Sequence, residues 1–214
     1  MRDMHSHILP EVDDGASSID ESLAMVEAAR KAGVTQIVCT PHCREPYFDF
    51  EAMWDAFRLL KQTTAGEIEL SMGFEVNIQN LWGLGNDWID RLAFEDTGEF
   101  LLELEPGASP AAFDQYERAV FDIQGHGHEV IIAHPERYIA IQNDINLANR
   151  LIEWGCKLQA SADFIAGGRF GREKKPAKRM LKKGMYSYIG SDAHNVHHYE
   201  LFAKAMEKFG DMLR

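Results

Sequence analysis

Residues 18–40 read SIDESLAMVEAARKAGVTQIVCT and contain one complete transition from helix to strand. Ser18 and Glu21 have the spacing of a capping box, which predicts that a helix begins there. The amphipathic stretch that follows stops at Gly33, a residue typical of the position just after a helix. Residues 34–40 are rich in β-branched side chains, which predicts a strand. This segment therefore indicates a chain in which helices and strands alternate.

The same alternation extends through the rest of the chain. Further strands are predicted at residues 2–6, 67–75, 99–104, 129–133, 156–160 and 185–190. Helices are predicted near residues 50–64, 110–126, 144–154, 173–183 and 198–209, whereas residues 80–94 are ambiguous. Strands separated by helices of this length are typical of βαβ units and a parallel sheet. The number of units favours a closed or nearly closed β/α barrel over an open sheet, and no glycine-rich phosphate-binding motif follows the first strand.

The composition is that of an ordinary globular protein, with 214 residues, 45% of them hydrophobic and 26% charged. The length fits one domain. A formal net charge of −12 without a basic stripe argues against nucleic acid or an anionic membrane as the main partner. We expect no membrane insertion and no signal peptide, because a long apolar run is missing from the sequence. The cysteines are few and odd in number, which favours a reduced, cytoplasmic setting.

Histidines and acidic residues recur at the carboxyl ends of the predicted strands. They are His5, His7, His42, Glu75, Glu103, His134, Asp192 and His194. In a parallel β/α barrel these ends meet at one face, so side chains distant in sequence come together. The spacing of His5 and His7, and that of Asp192 and His194, places both members of each pair on the same side of an extended strand. Mixed nitrogen and oxygen ligands predict zinc, manganese or iron, and more than four of them predict more than one ion.

Five motifs occur in order along nearly the whole chain. They are MHSHILPEVDDGA at 4–16, CTPH at 39–42, GFEV at 73–76, IAHPERY at 132–138 and GSDAHN at 190–195. Together they resemble the polymerase-and-histidinol-phosphatase (PHP) superfamily, and most of all its bacterial manganese-dependent protein-tyrosine phosphatases of capsule and exopolysaccharide clusters. The resemblance implies a single-domain α/β fold over residues 1–214, a distorted TIM-like (β/α)7 barrel. It also implies three divalent metal ions as cofactors, with manganese expected and iron and zinc as alternatives.

A ligand set follows from the resemblance. It assigns one ion to His5, His7, Glu75 and Asp192, a second to Glu75, Glu103 and His134, and a third to Asp14, His42 and His194. Asp14 is assigned as a ligand only through the resemblance, because its position in a loop also suits a turn residue. The neighbouring Asp13 is interpreted as a turn former. Glu103 and Glu105 alternate onto the same strand face, and only the resemblance selects Glu103.

The implied reaction is hydrolysis of phosphotyrosine by a metal-activated hydroxide. Arg137, Glu75 and His42 are expected to take part in catalysis. Arg137 matches an arginine that the family places against the phosphate, and Arg44 and Tyr47 are further candidates for contact with the substrate. Tyrosinate has a reference pKa near 10 and is a better leaving group than a serine alkoxide, so little help from a general acid is needed.

The expected partner is a phosphotyrosine-bearing protein, typically the tail of a bacterial tyrosine kinase, and a homo-oligomer is compatible with the sequence. The basic stretch at residues 169–183 either attracts such an acidic tail or forms a solvated helix face. Some relatives carry a second arginine after the SDxHN segment; here His197 and His198 stand there, as substitutes or as an exposed pair. Two alternatives stay open: another PHP phosphomonoesterase such as histidinol phosphatase, and a non-catalytic metal-binding regulatory barrel.

Overall fold

Strands and helices alternate along the computed structural model, in which residues 1–213 are described. The strands are β1 (Arg2–Ser6), β2 (Gln36–Cys39), β3 (His42–Cys43), β4 (Glu69–Met72), β5 (Glu75–Asn77), β6 (Phe100–Glu103), β7 (Val130–Ala133), β8 (Lys157–Ser161) and β9 (Tyr188–Gly190). The helices are α1 (Ile19–Lys31), α2 (Phe50–Thr63), α3 (Ile78–Leu84), α4 (Ile89–Leu92), α5 (Phe113–Gly125), α6 (Ile139–Asn143), α7 (Asn146–Glu153), α8 (Lys174–Lys182) and α9 (Val196–Phe209). The predicted order of elements is confirmed, and the ambiguous residues 80–94 contain short helices.

Local signals determine both ends of α1. The Ser18 hydroxyl accepts a hydrogen bond from the backbone N–H of Glu21 at 3.2 Å. The Glu21 carboxylate reaches one residue further back than in a standard capping box and accepts the backbone N–H of Ser17 at 2.8 Å. Gly33 follows the helix with a φ of +84°, a left-handed conformation that glycine adopts without steric cost.

The strands are paired in parallel and form two sheets, in the orders β1–β2–β4 and β3–β5–β6–β7–β8–β9. In the first sheet Cys39 is paired with Met72, and in the second His42 is paired with Glu75. The hydrogen-bonded pairing of these two chain segments is therefore interrupted between Cys39 and His42 on one segment and between Met72 and Glu75 on the other. Pro41 lies in this break, and it has no backbone N–H with which to continue a ladder.

This break corrects the prediction for two strands. The strand expected at residues 67–75 is divided between β4 and β5, because the chain passes from one sheet to the other within it. The strand expected at residues 34–40 ends at Cys39, and the unpredicted β3 follows Pro41 in the other sheet. An α/β fold built on parallel strands is confirmed. Among residues 1–213, the strand pairings do not form a continuous closed barrel, because the two sheets are separate. An isolated parallel bridge links Ser6 to Ala193.

Apolar side chains fill the space between the strands and the helices. Phe100, Phe113, Tyr116 and Phe202 are among the large side chains that are almost completely buried. A second, smaller group packs beside this core and consists of Met4, Val38, Phe94, Leu101, Ile131 and Ala133. The carboxyl ends of the strands are different, because buried histidines and carboxylates occupy them.

Candidate metal centre

The nine side chains that the sequence analysis singled out as metal ligands come together at the carboxyl ends of the strands. Their nitrogen and oxygen atoms form four groups, and within each group these atoms lie within 4.8 Å of one another. The groups are His7, Asp14, His42 and His194; His5, His7 and Glu75; His5, His134 and Asp192; and His42, Glu75 and Glu103. Over residues 1–213, every member of such a group belongs to the nine.

Glu75 stands at the centre of this cluster and is almost completely buried. Its Oε2 atom lies 3.4 Å from His5 Nε2, 3.3 Å from His7 Nε2 and 2.8 Å from His42 Nδ1. Its Oε1 atom lies 2.6 Å from His134 Nε2. Burial raises the pKa of Glu75, but the neighbouring imidazoles outweigh burial and hold this pKa well below its ordinary value. Glu75 is therefore an ionised carboxylate shared by several imidazoles.

Asp192 approaches the same imidazoles from the opposite end of the chain. Its Oδ1 atom lies 3.4 Å from the Nε2 atoms of both His5 and His7. Asp192 adopts a φ of +50°, and its backbone N–H donates to the His5 carbonyl at 2.8 Å. Burial raises the pKa of Asp192, but the Arg137 guanidinium and the His5 imidazole hold it well below its usual range.

Asp14 forms the outer part of the cluster. Its Oδ1 atom lies 3.1 Å from His42 Nε2 and 3.3 Å from His194 Nε2. Burial raises the pKa of Asp14, whereas the close His194 and His42 imidazoles lower it by more, so the carboxylate is ionised. The loop after β1 thus brings Asp14 to the same space as His7, which the sequence predicted only through the family resemblance.

Glu103 lies in the cluster and Glu105 does not. Glu103 Oε1 is 3.9 Å from His134 Nε2, and Glu103 also belongs to the group that contains His42 and Glu75. The Asn77 side chain donates to both residues, to Glu105 at 2.9 Å and to Glu103 at 3.4 Å, but within residues 1–213 Glu105 belongs to none of the four groups. Burial and the nearby Glu75 carboxylate raise the pKa of Glu103 to about 7, although His42 and Arg44 act in the opposite direction.

Six buried polar atoms of the cluster have no partner in hydrogen-bonding geometry, although other nitrogen and oxygen atoms lie close to them. The six atoms are Asp14 Oδ1, His42 Nδ1, Glu75 Oε2, His134 Nδ1, Asp192 Oδ1 and His194 Nε2. Each unsatisfied buried group costs about 1–3 kcal/mol, so this concentration requires a physical reason. Imidazole nitrogens and carboxylate oxygens are the ligands that zinc, manganese and iron accept. The residues present therefore fit a divalent metal centre.

The tautomers of three histidines support the same interpretation. His5 Nδ1 lies 3.0 Å from the Gln159 side-chain oxygen, and His194 Nδ1 lies 2.9 Å from the Asp192 carbonyl. His7 Nδ1 lies 2.9 Å from Asp13 Oδ2. When Nδ1 donates its proton to such an acceptor, the lone pair of Nε2 is left free to bind a metal ion. Burial lowers the pKa of His7, but Asp13 outweighs burial and holds this pKa well above its ordinary value, so metal binding there displaces a proton.

Asp13 and Gln159 are the residues that the sequence analysis missed. Asp13 does form a turn, since its carboxylate accepts the backbone N–H of Gly15 at 2.9 Å, but it also orients His7. Gln159 is completely buried in β8 among apolar neighbours. A long polar side chain between Leu158 and Ala160 in a predicted strand was the available signal for Gln159, because such a side chain must find a partner when it is buried.

Arg137, predicted to contact phosphate, is buried beside the cluster. Its Nη2 atom donates to Ser161 Oγ at 3.1 Å, lies 3.2 Å from Asp163 Oδ2 and donates to the Asp192 carboxylate. Burial lowers the pKa of Arg137, but these carboxylates raise it by more, so the guanidinium remains charged. Arg137 therefore connects the short segment after β8 to the buried cluster.

Arg44 and Tyr47 also lie next to the cluster. The Arg44 guanidinium carbon is 5.7 Å from the centre of the Tyr47 ring, and this ring stacks 5.9 Å from the His42 ring. Both residues line a cavity of about 580 Å³ that also reaches Glu103 and Asn77. Arg44 Nη1 lies 3.6 Å from Glu103 Oε2. This cavity places a cation and an aromatic ring next to the candidate metal ligands.

Parallel strands whose carboxyl ends carry clustered imidazoles and carboxylates define an α/β protein with a candidate metal centre. The chain belongs to the family described as capsular polysaccharide synthesis, CpsB/CapC, whose match covers residues 1–207. The family that its motifs resemble is thereby confirmed.

Individual relatives align with nearly the whole chain. The tyrosine-protein phosphatase YwqE of Bacillus subtilis is 32% identical over 204 residues, which are 92% of this chain and 78% of that protein. The tyrosine-protein phosphatase CpsB of Streptococcus pneumoniae is 30% identical over 208 residues, covering 92% of this chain and 84% of that protein. A crystal structure from work on these two proteins, described as metal-dependent tyrosine phosphatases, superposes with a TM-score of 0.83 at 28% identity and covers 99% of this chain and 89% of the other. In residues 1–213, no helix is both long and apolar enough to span a membrane.

Proposed function

We propose that this chain is a metal-dependent protein-tyrosine phosphatase that removes phosphate from tyrosine on a protein of capsular or exopolysaccharide synthesis. The observation that carries the proposal is the gathering of nine candidate ligands around Glu75. Membership of the CpsB/CapC family, in which both relatives named above are tyrosine-protein phosphatases, supports the choice of substrate.

Three divalent ions are proposed for the cluster, with manganese as the expected metal and iron and zinc as alternatives. The proposed ligand sets are His5, His7, Glu75 and Asp192; Glu75, Glu103 and His134; and Asp14, His42 and His194. The short distances and the unpaired atoms within these sets support them. Such ions, when bound, act as Lewis acids and lower the pKa of a water molecule from 15.7 towards roughly 7. Their charge would exceed that of the four carboxylates by about two, which suits a phosphate dianion.

The side chains around the cluster are proposed to bind and orient the phosphate ester. Arg137, held in one orientation by Ser161 and Asp163, would direct positive charge at the phosphate oxygens. His42 and Glu75 would act at the reacting centre as residues of the metal site, while Arg44 and Tyr47 would contact the substrate from their cavity. Because tyrosinate leaves readily, these residues need not supply a strong general acid.

The proposal extends to the architecture. We infer that residues 1–214 form one PHP-type domain in which the two sheets together approximate a distorted TIM-like barrel of seven β/α units. The bridge between Ser6 and Ala193 supports this inference, because it connects the first strand to the segment that follows the last one. The superposition on the metal-dependent phosphatase structure over 99% of the chain is consistent with it.

The proposed substrate protein is the phosphotyrosine-bearing tail of a bacterial tyrosine kinase. A flexible tail suits a site at the mouth of the strands, because an extended segment can reach a recessed cluster more easily than a folded surface can. The acidic net charge of −12 makes the locally cationic site important for attracting a phosphorylated chain.

Parallel assays on a phosphotyrosyl peptide and on histidinol phosphate test this function. The protein is purified, its metal content is measured by elemental analysis, and turnover is followed before and after chelation. We expect manganese-dependent release of phosphate from the peptide and its loss with the chelator. Turnover of histidinol phosphate without turnover of the peptide would contradict the proposal.

A matched pair of histidine variants separates catalysis from simple binding. His42→Ala is expected to abolish turnover, because His42 contacts both Glu75 and Asp14. His128→Ala is the control, since His128 lies away from the cluster and contacts Asp90 and Gly98. Full activity of His42→Ala, or an unchanged wild-type rate after metal removal, would count against a metal-dependent enzyme.

A further inference from the structure

A second cavity, of about 500 Å³, also opens at the cluster. Its lining includes Asp14 and His194 from the candidate metal site, and Arg137, Asp163 and Arg169. A phosphate ester bound at the cluster from this side would meet two arginines. The two arginines differ in how firmly carboxylates already hold them.

The Nη2 atom of Arg137 is already engaged by neighbouring side chains. This atom serves Ser161, Asp163 and Asp192 together, and only 7% of the Arg137 side chain is exposed. The charge of this guanidinium is thus balanced by two neighbouring carboxylates. The Nε atom of Arg137 is also buried, but without a partner, whereas a phosphate dianion arriving from solvent is best met by an arginine with several accessible donors.

Arg169 is such an arginine. Its side chain is 45% exposed, and its Nη2 atom makes a single long contact of 3.4 Å with Asp14 Oδ2. Asp14 Oδ1 faces His42 and His194, so Arg169 approaches the outer oxygen of a candidate metal ligand. The guanidinium is therefore next to the cluster and only weakly bound there.

The loop that carries Arg169 is built around a buried carboxylate. Glu173 is completely buried, and its two oxygens accept the backbone N–H groups of Phe170 at 2.9 Å and Arg172 at 2.7 Å. Gly168 has a φ of +83°, and a Cβ atom there would lie 2.4 Å from Glu173 Oε2. These contacts give the backbone beside Arg169 a defined path, so the side chain is presented to the cavity from a fixed base.

The two histidines considered as replacements for the missing arginine have other partners. His197 Nδ1 lies 3.1 Å from Glu200 Oε2, with both side chains more than half exposed. His198 Nδ1 accepts the backbone N–H of His194 at 3.1 Å, which leaves it supporting the start of α9. Neither offers the forked pair of charged donors that matches a phosphate.

We infer that Arg169 is a second substrate-binding residue, which donates hydrogen bonds to the phosphate oxygens of phosphotyrosine in this cavity. This inference rests on the proposed phosphatase function and adds a phosphate contact from the loop between β8 and α8. The basic stretch at residues 169–183 thereby acquires one specific role at its first residue.

The test compares Arg169→Ala, Arg169→Lys and Arg172→Ala. Arg172 is exposed on the same loop and does not line the cavity, so its removal changes the net charge equally. Binding of inorganic phosphate to the manganese-loaded protein is measured by calorimetry, KM and kcat are measured on a phosphotyrosyl peptide, and metal content is measured by elemental analysis. Thermal unfolding checks that each variant is folded.

We expect Arg169→Ala to weaken phosphate binding and to raise KM about tenfold at unchanged metal content, a loss typical of one charged hydrogen bond. Arg169→Lys should recover part of the affinity, and Arg172→Ala should match the wild type. Unchanged phosphate affinity in Arg169→Ala, an equal loss in Arg172→Ala, or loss of metal in Arg169→Ala would each overturn the inference. If the wild type binds phosphate but leaves the peptide intact, the proposed function fails, whereas the calorimetric comparison still decides the role of Arg169.

Discussion

Asp13 holds His7 in place from outside the set of candidate ligands. The Asp13 Oδ2 atom lies 2.9 Å from His7 Nδ1 and accepts the backbone N–H of His42 at 3.1 Å. One carboxylate thus fixes the tautomer of one candidate ligand and the backbone of another. Contacts of this kind, made behind the ligands, determine whether the metal-binding atoms point at a common centre.

Asp13→Asn is predicted to weaken manganese binding about tenfold or more, because an amide does not hold the Nδ1 proton of His7 as a carboxylate does. The dissociation constant would be measured by competition with a chelator. Asp20→Asn serves as the control, since Asp20 is exposed in the first turn of α1. Equal affinities of Asp13→Asn and the wild type would show that Asp13 is a turn residue alone.

Glu103→Gln and Glu105→Gln form a matched pair two residues apart. Glu103 belongs to the group with His42 and Glu75, whereas Glu105 binds the Asn77 side chain. We predict that Glu103→Gln lowers the number of bound ions and reduces turnover at least a hundredfold, about 2.7 kcal/mol in transition-state stabilisation. Glu105→Gln should keep its metal. The reverse pattern in elemental analysis would assign the ligand to Glu105.

Glu99 is expected to make folding sensitive to acid. Its carboxylate accepts hydrogen bonds from Arg2 at 2.8 Å, Thr97 at 2.8 Å and Tyr188 at 2.9 Å. Burial raises the pKa of Glu99, but these contacts outweigh burial and hold the pKa below its ordinary value. A pKa lowered by folding stabilises the protein above the unfolded pKa, and this stabilisation is lost as the pH falls through the folded one.

Glu99→Gln should therefore lower the free energy of unfolding by about 1 kcal/mol at pH 7, and this difference from the wild type should shrink as the pH is lowered from 6 to 3. Urea unfolding of both proteins at several pH values measures it. A difference that stays constant over this range would mean that the Glu99 charge contributes nothing. Because the wild type and Glu99→Gln share all other titratable groups, the difference between their free energies of unfolding isolates the contribution of Glu99.

Gly73 is predicted to tolerate no side chain. A Cβ atom there would lie 2.3 Å from Phe94 Cδ1, within the smaller apolar group. Gly73→Ala should destabilise the fold by about 1–3 kcal/mol, as overpacking does. Gly83→Ala is the opposite case, because nothing lies within 4 Å of its Cβ position in α3.

In the helix α3, Gly83→Ala is expected to stabilise the protein by about 0.5–1 kcal/mol. Thermal and urea unfolding of the two variants beside the wild type would measure both effects. Two variants of equal stability would indicate that Phe94 moves aside at little cost. That result would contradict the close packing between Gly73 and Phe94.

The sequence alone was enough to predict the alternation of strands and helices, the start and end of α1, and eight of the nine residues now found in the cluster. Asp14 was assigned only through the family resemblance. Capping at Ser18, the stop at Gly33 and the polar residues at strand ends are local patterns, each contained in a few consecutive residues. Local hydrogen bonds and side-chain periodicity determine them, so they can be recognised without knowing the rest of the fold.

The tertiary structure alone decided which distant residues meet. His5 and Gln159 are 154 positions apart, and nothing near either residue indicates their contact at 3.0 Å. The division of the strands between two sheets and the approach of Arg169 to Asp14 are of the same kind. They depend on how whole elements pack against one another, and a packing arrangement is a property of the complete chain rather than of any single segment.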